Sequence, residues 1–585
     1  MTPQFLALIG PASPNAGPYD TVQRRAEHQF GMRQMFVAPD LIVLAGPQTP
    51  VVAIGEQDGV ALGTVFSRVP NLAGEYTCVQ RMDGCGPDLE ALMADYWGRY
   101  VAIVVKGGGA GIEVARDPSG GFACCFSRWR GRVMLYGDVG MAQALGIIAG
   151  EPDVGGLLQL VAFPAMPSAR TAIVGVEDLQ PGTGLKIDHR GRVSRTLPWT
   201  PRRFTQGKMQ VRDRRTAIDL VQAEARRCVS AWGALSQSIL LELSGGLDSS
   251  IVAACLRDQA EKLTLVTLAT PDPGADERAY ALEVADSLKR PLRTLTLDVN
   301  DARLEPPRAL TARPCGGALH QTIDAALLRS ADGQAVDAFF SGGGGDNVFC
   351  YLSSAAPATD VLLCRGPGLS FAPAVADRAV LHGCTTWTAG RRALRKLRRG
   401  AGAWRNDLDF LAPGAPTRTD QHPWLATRAI SLPGQREHLM SLLSVQTALT
   451  GHRRESLAPV LFPLLSQPLV ELCLRIPSWF WIDGGRNRAI ARDAFMGQLP
   501  LLILQRRTKG NFLGMLGAIY RQQRPELRDL LLGGWLAEQA LIDRPAIEAY
   551  LESEALLTDV RFCRVLDLAN VELWARAWLA RRGSP

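Results

Sequence analysis

The stretch Leu241–Ser250, LELSGGLDSS, constrains this chain more than any other part of it. It follows the apolar run Ser238–Leu243 (SILLEL) and opens the helical pattern Asp248–Leu256 (DSSIVAACL). A strand, a tight glycine turn and a helix start therefore come in immediate succession. Gly245 and Gly246 let the backbone close tightly around a ligand. Ser244, Ser249, Ser250 and the N–H groups of the first helical turn can then hold phosphate oxygens. No Lys follows the glycines and the spacing is too short for a Walker A loop.

SGGLDSS resembles the pyrophosphate-binding loop of the ATP pyrophosphatases grouped with asparagine synthetases and tRNA-thiolation enzymes. That resemblance implies cleavage of ATP to AMP and pyrophosphate, with adenylation of a substrate oxygen. It also implies that Leu243, Ser244, Gly245, Gly246, Leu247, Asp248, Ser249 and Ser250 bind the nucleotide.

With 585 residues the chain has room for two or three domains. An apolar content of 47% with 21% charged residues describes a globular protein, and no apolar run reaches the length of a membrane span. The start, MTPQFLALIG, has no basic segment before its apolar stretch, so no secretion signal is expected. Scattered cysteines without a CxxC pair argue against a zinc or iron–sulfur site and suit the cytoplasm. The net charge of +7 suits an anionic nucleotide but does not call for nucleic acid. Neither a membrane nor a nucleic-acid partner is expected.

Residues 1–200 read as a β-rich domain. Apolar runs at Leu41–Leu44, Val51–Ile54, Tyr100–Val105, Ile112–Val114 and Val133–Tyr136 alternate with Gly, Pro and Asp turns. Pro198–Lys208 reads as a linker, and residues 201–585 as a second domain. In it, SILLEL, Lys262–Thr270, Arg293–Val299 and Ala335–Phe340 are strand-like. They alternate with helical patterns at 248–258, Ala275–Lys289 and His320–Leu328. This predicts a parallel sheet with covering helices and ligand loops at the carboxyl ends of the strands. Beyond 350 the pattern turns helical. Arg391–Arg399 forms a basic run read as a solvated face or as a platform for an anionic partner or peptide. Val560–Leu579 reads as a scaffold helix.

Several N-terminal pieces resemble the glutaminase domain of glutamine-dependent asparagine synthetases: WGRYVAIVV (Trp97–Val105), ARDPSG (Ala115–Gly120) and TAIVGVEDLQPGTGL (Thr171–Leu185). The resemblance implies an Ntn-hydrolase-like fold. That family uses a processed N-terminal Cys, whereas here Thr2 and Pro3 follow the initiator, and no Asn-Gly dipeptide occurs in residues 1–200. The domain is therefore expected to be inactive as a glutaminase, leaving the ligase to use an amine carried by its substrate.

Adenylation calls for a metal clamp on the phosphates and a cation near the reacting phosphorus. Ser341–Asp346 (SGGGGD) follows a strand-like run and resembles the SGxGxD element of asparagine synthetases. That likeness assigns Gly343, Gly344 and Gly345 to the nucleotide, and Asp248 with Asp346 to Mg2+. Asp276 and Glu277 resemble the family's DE..YA helix start, and also suit plain helix capping. Leu243 and Val266–Ala269, with Thr267 and Ala269 among them, are candidates for lining the adenine pocket. GGRNRAIARDAFMGQLPLLILQRRTKGNF resembles the family's tail, which implies Lys509 as the catalytic lysine and makes Arg506 a further catalytic candidate. Lys509 is expected to stabilise charge rather than act as a base. PLLSQPLVELCLRIP carries Ser466 where the family has Asp, which weighs against ordinary asparagine formation. An amine nucleophile must lose a proton, and Glu455, aided by His452, is the candidate base.

An inactive glutaminase-type domain on an intact ligase domain is similar to β-lactam and carbapenam synthetases and to lasso-peptide macrolactam synthetases. PLLSQPLVELCLRIPSW and DLANVELWARAWL look most like the lasso cyclases. That likeness implies ATP and Mg2+ as cofactors and a precursor core peptide as substrate. It leaves open a leader-peptide protease and a leader-recognition protein as partners. β-Lactam-type closure of a small amino acid derivative, ammonia-dependent asparagine synthesis and a non-catalytic binding module are the alternatives.

Overall fold

In the computed structural model both faces of the first strand are buried, and this decides how the N-terminal half is layered. The structure describes residues 4–10, 19–107, 111–206, 209–270, 272–400, 402–417, 419, 422–426, 432–507, 510–553 and 559–582. Strand β1 (Phe5–Ile9) is followed by β2 (Arg33–Ala38), β3 (Leu41–Ala45), β4 (Val51–Ile54), β5 (Gly59–Ser67) and β6 (Arg81–Met82). Then come β7 (Tyr96–Lys106), β8 (Gly111–Arg116), β9 (Cys125–Trp129), β10 (Arg132–Tyr136), β11 (Val176–Asp178), β12 (Gly184–Ile187) and β13 (Val193–Thr196). They form a six-stranded sheet ordered β11-β9-β10-β1-β3-β2 and a seven-stranded sheet ordered β13-β12-β8-β7-β5-β4-β6.

Phe5, Ala7 and Ile9 pack with Val60, Leu62, Val101 and Ile103 of the second sheet. Their neighbours Leu6 and Leu8 point the other way, into helices Val139–Ala144 and Val154–Ala162. The period-2 alternation of a strand thus serves two cores at once. The outer face of the second sheet, through Val65, Trp97 and Tyr100, packs with helices Leu89–Asp95 and Arg214–Ala234. The layers run helix, sheet, sheet, helix.

The second half holds a five-stranded sheet of β14 (Ile239–Glu242), β15 (Leu263–Ala269), β16 (Leu292–Thr296), β17 (Ala338–Ser341) and β18 (Val460–Leu461). Its order is β16-β15-β14-β17-β18, and every pair is parallel. The predicted strand runs Lys262–Thr270, Arg293–Val299 and Ala335–Phe340 lie on β15, β16 and β17. The fifth strand, Val460–Leu461, was not read from the sequence, because two apolar residues give no periodicity.

Within the stretch read as a linker, Trp199 and Thr205 are anchored. Trp199 is buried and its indole donates to Glu471 at 2.7 Å, and Thr205 is buried in a short helix, Arg202–Thr205. Glu471 also pairs with Arg68 at 2.7 Å, so it is fastened from two places within residues 1–200. The basic run lies on helix Thr386–Arg399, where Ala389 and Ala393 are buried and Trp387 is exposed. No helix among the described residues is long and apolar enough to cross a membrane.

Candidate active site

Strand order places the two glycine loops. From β14 the chain runs outward to β15 and β16 and then crosses back to β17 on the other side of β14. The gap between β14 and β17 is therefore the topological switch point, where open parallel sheets bind ligands. Glu242 and Ser341 are paired in register, so SGGLDSS and SGGGGD leave the sheet side by side.

The loops are packed backbone to backbone. A Cβ on Gly342 would lie 2.4 Å from Ser249 N, and one on Gly345 would lie 2.5 Å from Asp248 Cβ. Gly245 has φ +64°, and its missing side chain admits helix Arg278–Ser287, since a Cβ would meet Ala281 N at 2.5 Å. Helix Leu247–Cys255 starts at Gly246, and no side chain caps it. Its first-turn N–H groups and their positive dipole end face the switch point, a geometry suited to phosphate oxygens. Within the loop, Ser250 Oγ donates to Gly246 O at 2.7 Å, and Ser244 Oγ lies 3.2 Å from Ser249 Oγ. On the other side Gly343 lies against Phe462 and Gly344 against Leu465.

Asp248 and Asp346 are brought together by a residue the sequence reading did not single out. Arg488 Nη1 donates to Asp248 at 3.0 and 2.8 Å and also to Asp346 Oδ1. Arg488 and Asp248 are each 8% exposed. The signal was present in GGRNRAIARDAF, where Arg488 stands directly before a helical pattern inside the tail string. Arg492, four residues on, donates to the carbonyls of Leu504 at 2.7 Å and Arg506 at 3.0 Å. It thereby ties this helix to the segment that carries RRTKGNF.

Arg506, a catalytic candidate from the sequence, has its guanidinium taken up by protein groups. It donates to Gly245 O at 3.1 Å and to Glu277 at 2.5 Å, and its guanidinium lies 3.9 Å above the Tyr280 ring. Glu277 also accepts from Gly510 N at 3.0 Å, so it does more than cap a helix. Asp276 by contrast binds exposed Arg278 at 2.7 Å. Thr508 and Lys509 lie outside the described residues, as do Thr2 and Pro3.

At the carboxyl ends of β14 and β15, Leu243 N donates to Val266 O at 2.7 Å and Leu297 N donates to Ala269 O at 2.9 Å, so these backbone groups are engaged within the sheet. The Thr267 and Thr270 hydroxyls are buried and have no hydrogen-bond partner among the described residues. Buried polar atoms of this kind are normally satisfied, which makes the two threonines the polar atoms at this end that a ligand can satisfy.

Glu455 is buried within electrostatic reach of the Arg99 guanidinium. Burial pushes its carboxyl upward, against the pull of the Arg99 guanidinium. Arg99, on β7, donates to Val460 O of β18 at 3.0 Å and to Gly121 O at 2.9 Å. Arg99, Ser119, Phe462, Leu465 and Ser466 line a cavity of about 20 Å3, room for a single water. His452 is held neutral, its ring pushed down to about 3 by burial and by Arg454. Ser466 is engaged structurally, accepting from the Trp232 indole at 3.0 Å and donating to Pro463 O at 2.7 Å.

Two carboxylates converging on one cation position fit Mg2+, which is commonly held by one or two carboxylates and completed by substrate phosphates. Asp248 and Asp346 are the residues that would hold it.

No curated protein matches the chain. Among solved structures, one titled "structure of the allosteric regulatory enzyme of purine biosynthesis" is 9% identical over 58% of this chain and 68% of that chain. Its TM-score of 0.19 carries no argument. The family model described as asparagine synthase matches residues 226–576. That span covers more than half of the chain and takes in both glycine loops, Arg488 and RRTKGNF. The chain therefore belongs to the asparagine synthase family, whose chemistry is ATP-dependent amide bond formation.

Proposed function

We propose that this protein is a lasso-type macrolactam synthetase. It activates an Asp or Glu side-chain carboxylate of a precursor peptide as an acyl adenylate, releasing pyrophosphate. The peptide's own N-terminal amine then attacks the acyl carbon, AMP leaves, and the peptide has lost one water overall. The observation that carries the ligase half is the convergence of both glycine loops on the Asp248–Arg488–Asp346 cluster.

Each group has a role in this reading. The N–H groups at the start of helix Leu247–Cys255 hold the leaving phosphates, and Asp248 with Asp346 hold Mg2+. When bound, the metal supplies charge neutralisation on the phosphates. Arg506 and Glu277 aim the RRTKGNF segment at the first loop, and Lys509 stabilises charge as it develops on the phosphorus. Thr267 and the chain around Leu243 and Ala269 receive the adenine. Glu455 accepts the amine proton, and its raised affinity for protons suits a base working against an α-amine of pKa about 8.

The use of a substrate amine rather than ammonia rests on the β-rich domain. Its helix–sheet–sheet–helix layering supports the Ntn-type reading, and the missing Asn-Gly dipeptide supports an inactive glutaminase. Arg99 and the water-sized cavity at the boundary are consistent with a contact used to brace the two domains. Holding both ends of one peptide makes the amide synthesis intramolecular.

The test combines the purified protein, Mg-ATP and the leader-free form of a short peptide encoded beside its gene. A peptide mass loss of about 18 Da with AMP appearing, both abolished by Lys509→Ala, is the expected result. AMP without dehydration would point to another acceptor, and the absence of both signals together with ATP binding would leave a non-catalytic fold.

A further inference from the structure

Arg488 Nη1 sits among three carboxylate oxygens contributed by two different loops, two from Asp248 and one from Asp346. That is the point a cation shared by both carboxylates would take. Magnesium–oxygen bonds are about 2.0–2.1 Å long, whereas the guanidinium nitrogen stands 2.8–3.0 Å from the Asp248 oxygens. Both cations cannot be there together. The two loops are in backbone contact, so their carboxylates are held close whether or not a metal is present. With Asp248 buried and Asp346 a third exposed, that proximity calls for a counter-charge.

Two further features mark Arg488 as built for this place. It is a non-glycine residue held at φ 50°, ψ 36°, directly before helix Ala489–Ala494. Left-handed backbone at such a residue persists only where the surroundings enforce it, and it collects at functional sites. Its guanidinium carbon also lies 5.6 Å from the Tyr351 ring centroid, an aromatic face over which the group can lean on leaving the carboxylates.

We infer that Arg488 is a resident counter-ion that exchanges with the metal of the incoming nucleotide. Without nucleotide it joins Asp248 to Asp346. On loading, the metal takes both carboxylates and Arg488 turns to the polyphosphate oxygens. A guanidinium cannot leave by deprotonating, so it must carry its charge to a new anion, and the phosphates are that anion. Metal and nucleotide entry are thereby coupled, and the bare metal is kept out. The inference rests on the assignment of Asp248 and Asp346 to the metal, and is independent of which amide the enzyme forms.

The experiment measures Mn2+ binding to the full chain by electron paramagnetic resonance, without peptide. Wild type is expected to bind Mn2+ at this site only together with a non-hydrolysable ATP analogue. Arg488→Met is expected to bind Mn2+ alone at least about tenfold more tightly than wild type. Adding Asp346→Asn to that variant should remove the gain. Affinity for Mn2+-pyrophosphate should fall about tenfold in Arg488→Met, since the phosphates lose their arginine. Equal affinity of wild type and Arg488→Met for Mn2+ alone overturns the exchange while leaving the ligase reading intact. No Mn2+ binding by any variant, even with the analogue, overturns the metal assignment and the exchange together. Should Arg488→Met fail to fold, Arg488→Lys keeps the charge on a shorter, single-headed donor and should gain Mn2+ affinity severalfold. No gain in that variant overturns the exchange.

Discussion

Arg506 and Glu277 form an ion pair at 2.5 Å between the RRTKGNF segment and the helix behind the first glycine loop. Both side chains are largely buried, and Arg506 also reaches Gly245 O. The pair, with the Gly510 N–H that Glu277 also accepts, holds this segment against the first glycine loop.

Glu277→Ala is therefore expected to lower ATP–pyrophosphate exchange by about a hundredfold, because small misplacements of a catalytic group are that costly. The loss should fall on kcat rather than on KM for ATP. An exchange rate equal to wild type would remove Glu277 from any positioning role.

Gly342→Ala places a Cβ 2.4 Å from Ser249 N, where backbone and not a flexible side chain must yield. The variant is expected to lose about 1–3 kcal/mol of stability and to bind ATP weakly. Gly368→Ala, at a position with nothing within 4 Å, is the control and should change neither. Thermal melts with and without nucleotide read both effects.

Glu455→Gln separates the two half-reactions. If Glu455 takes the amine proton, amide formation should fall about a hundredfold while peptide-dependent ATP–pyrophosphate exchange continues. Burial raises the Glu455 carboxyl, so activity in wild type should rise with pH as that group deprotonates, and this acidic limb should vanish in the variant. A parallel loss of both half-reactions would mark Glu455 as structural.

His438 provides a pH dependence of stability. Its Nε2 lies 3.1 Å from Val348 O, at the end of the short helix after the second glycine loop, and burial pushes the ring down to about 4. Between the ordinary imidazole value of about 6.5 and that folded value, the unfolded chain binds a proton that the folded chain does not. Stability should thus fall as pH drops from about 6.5 towards 4. His438→Gln should flatten this slope in melts recorded across that window. His422, pushed down to about 3 by burial, adds a slope of the same sign.

The parallel sheet was legible because β14, β15 and β17 are short runs dominated by apolar residues, alternating with helical patterns. β18 was not legible, since it is made a strand by its pairing with Phe339 and Phe340 rather than by its own pattern. Pro198–Lys208 read as a linker because proline and charge dominate its composition. Trp199 is nonetheless drawn inside by a carboxylate that lies 272 residues away.

Sequence by itself determined the order strand, glycine loop, helix, and with it the kind of ligand the loop accepts. Local chemistry suffices there, because glycine freedom and helix-start N–H groups act over a few neighbouring residues. Family membership was also carried by local strings. Tertiary structure alone decided that Arg488 lies between Asp248 and Asp346, that Arg506 is fastened to Glu277, and that Glu455 faces Arg99. These groups are far apart in the chain, and a charge acquires its partner only when strand order brings distant loops to one edge of the sheet.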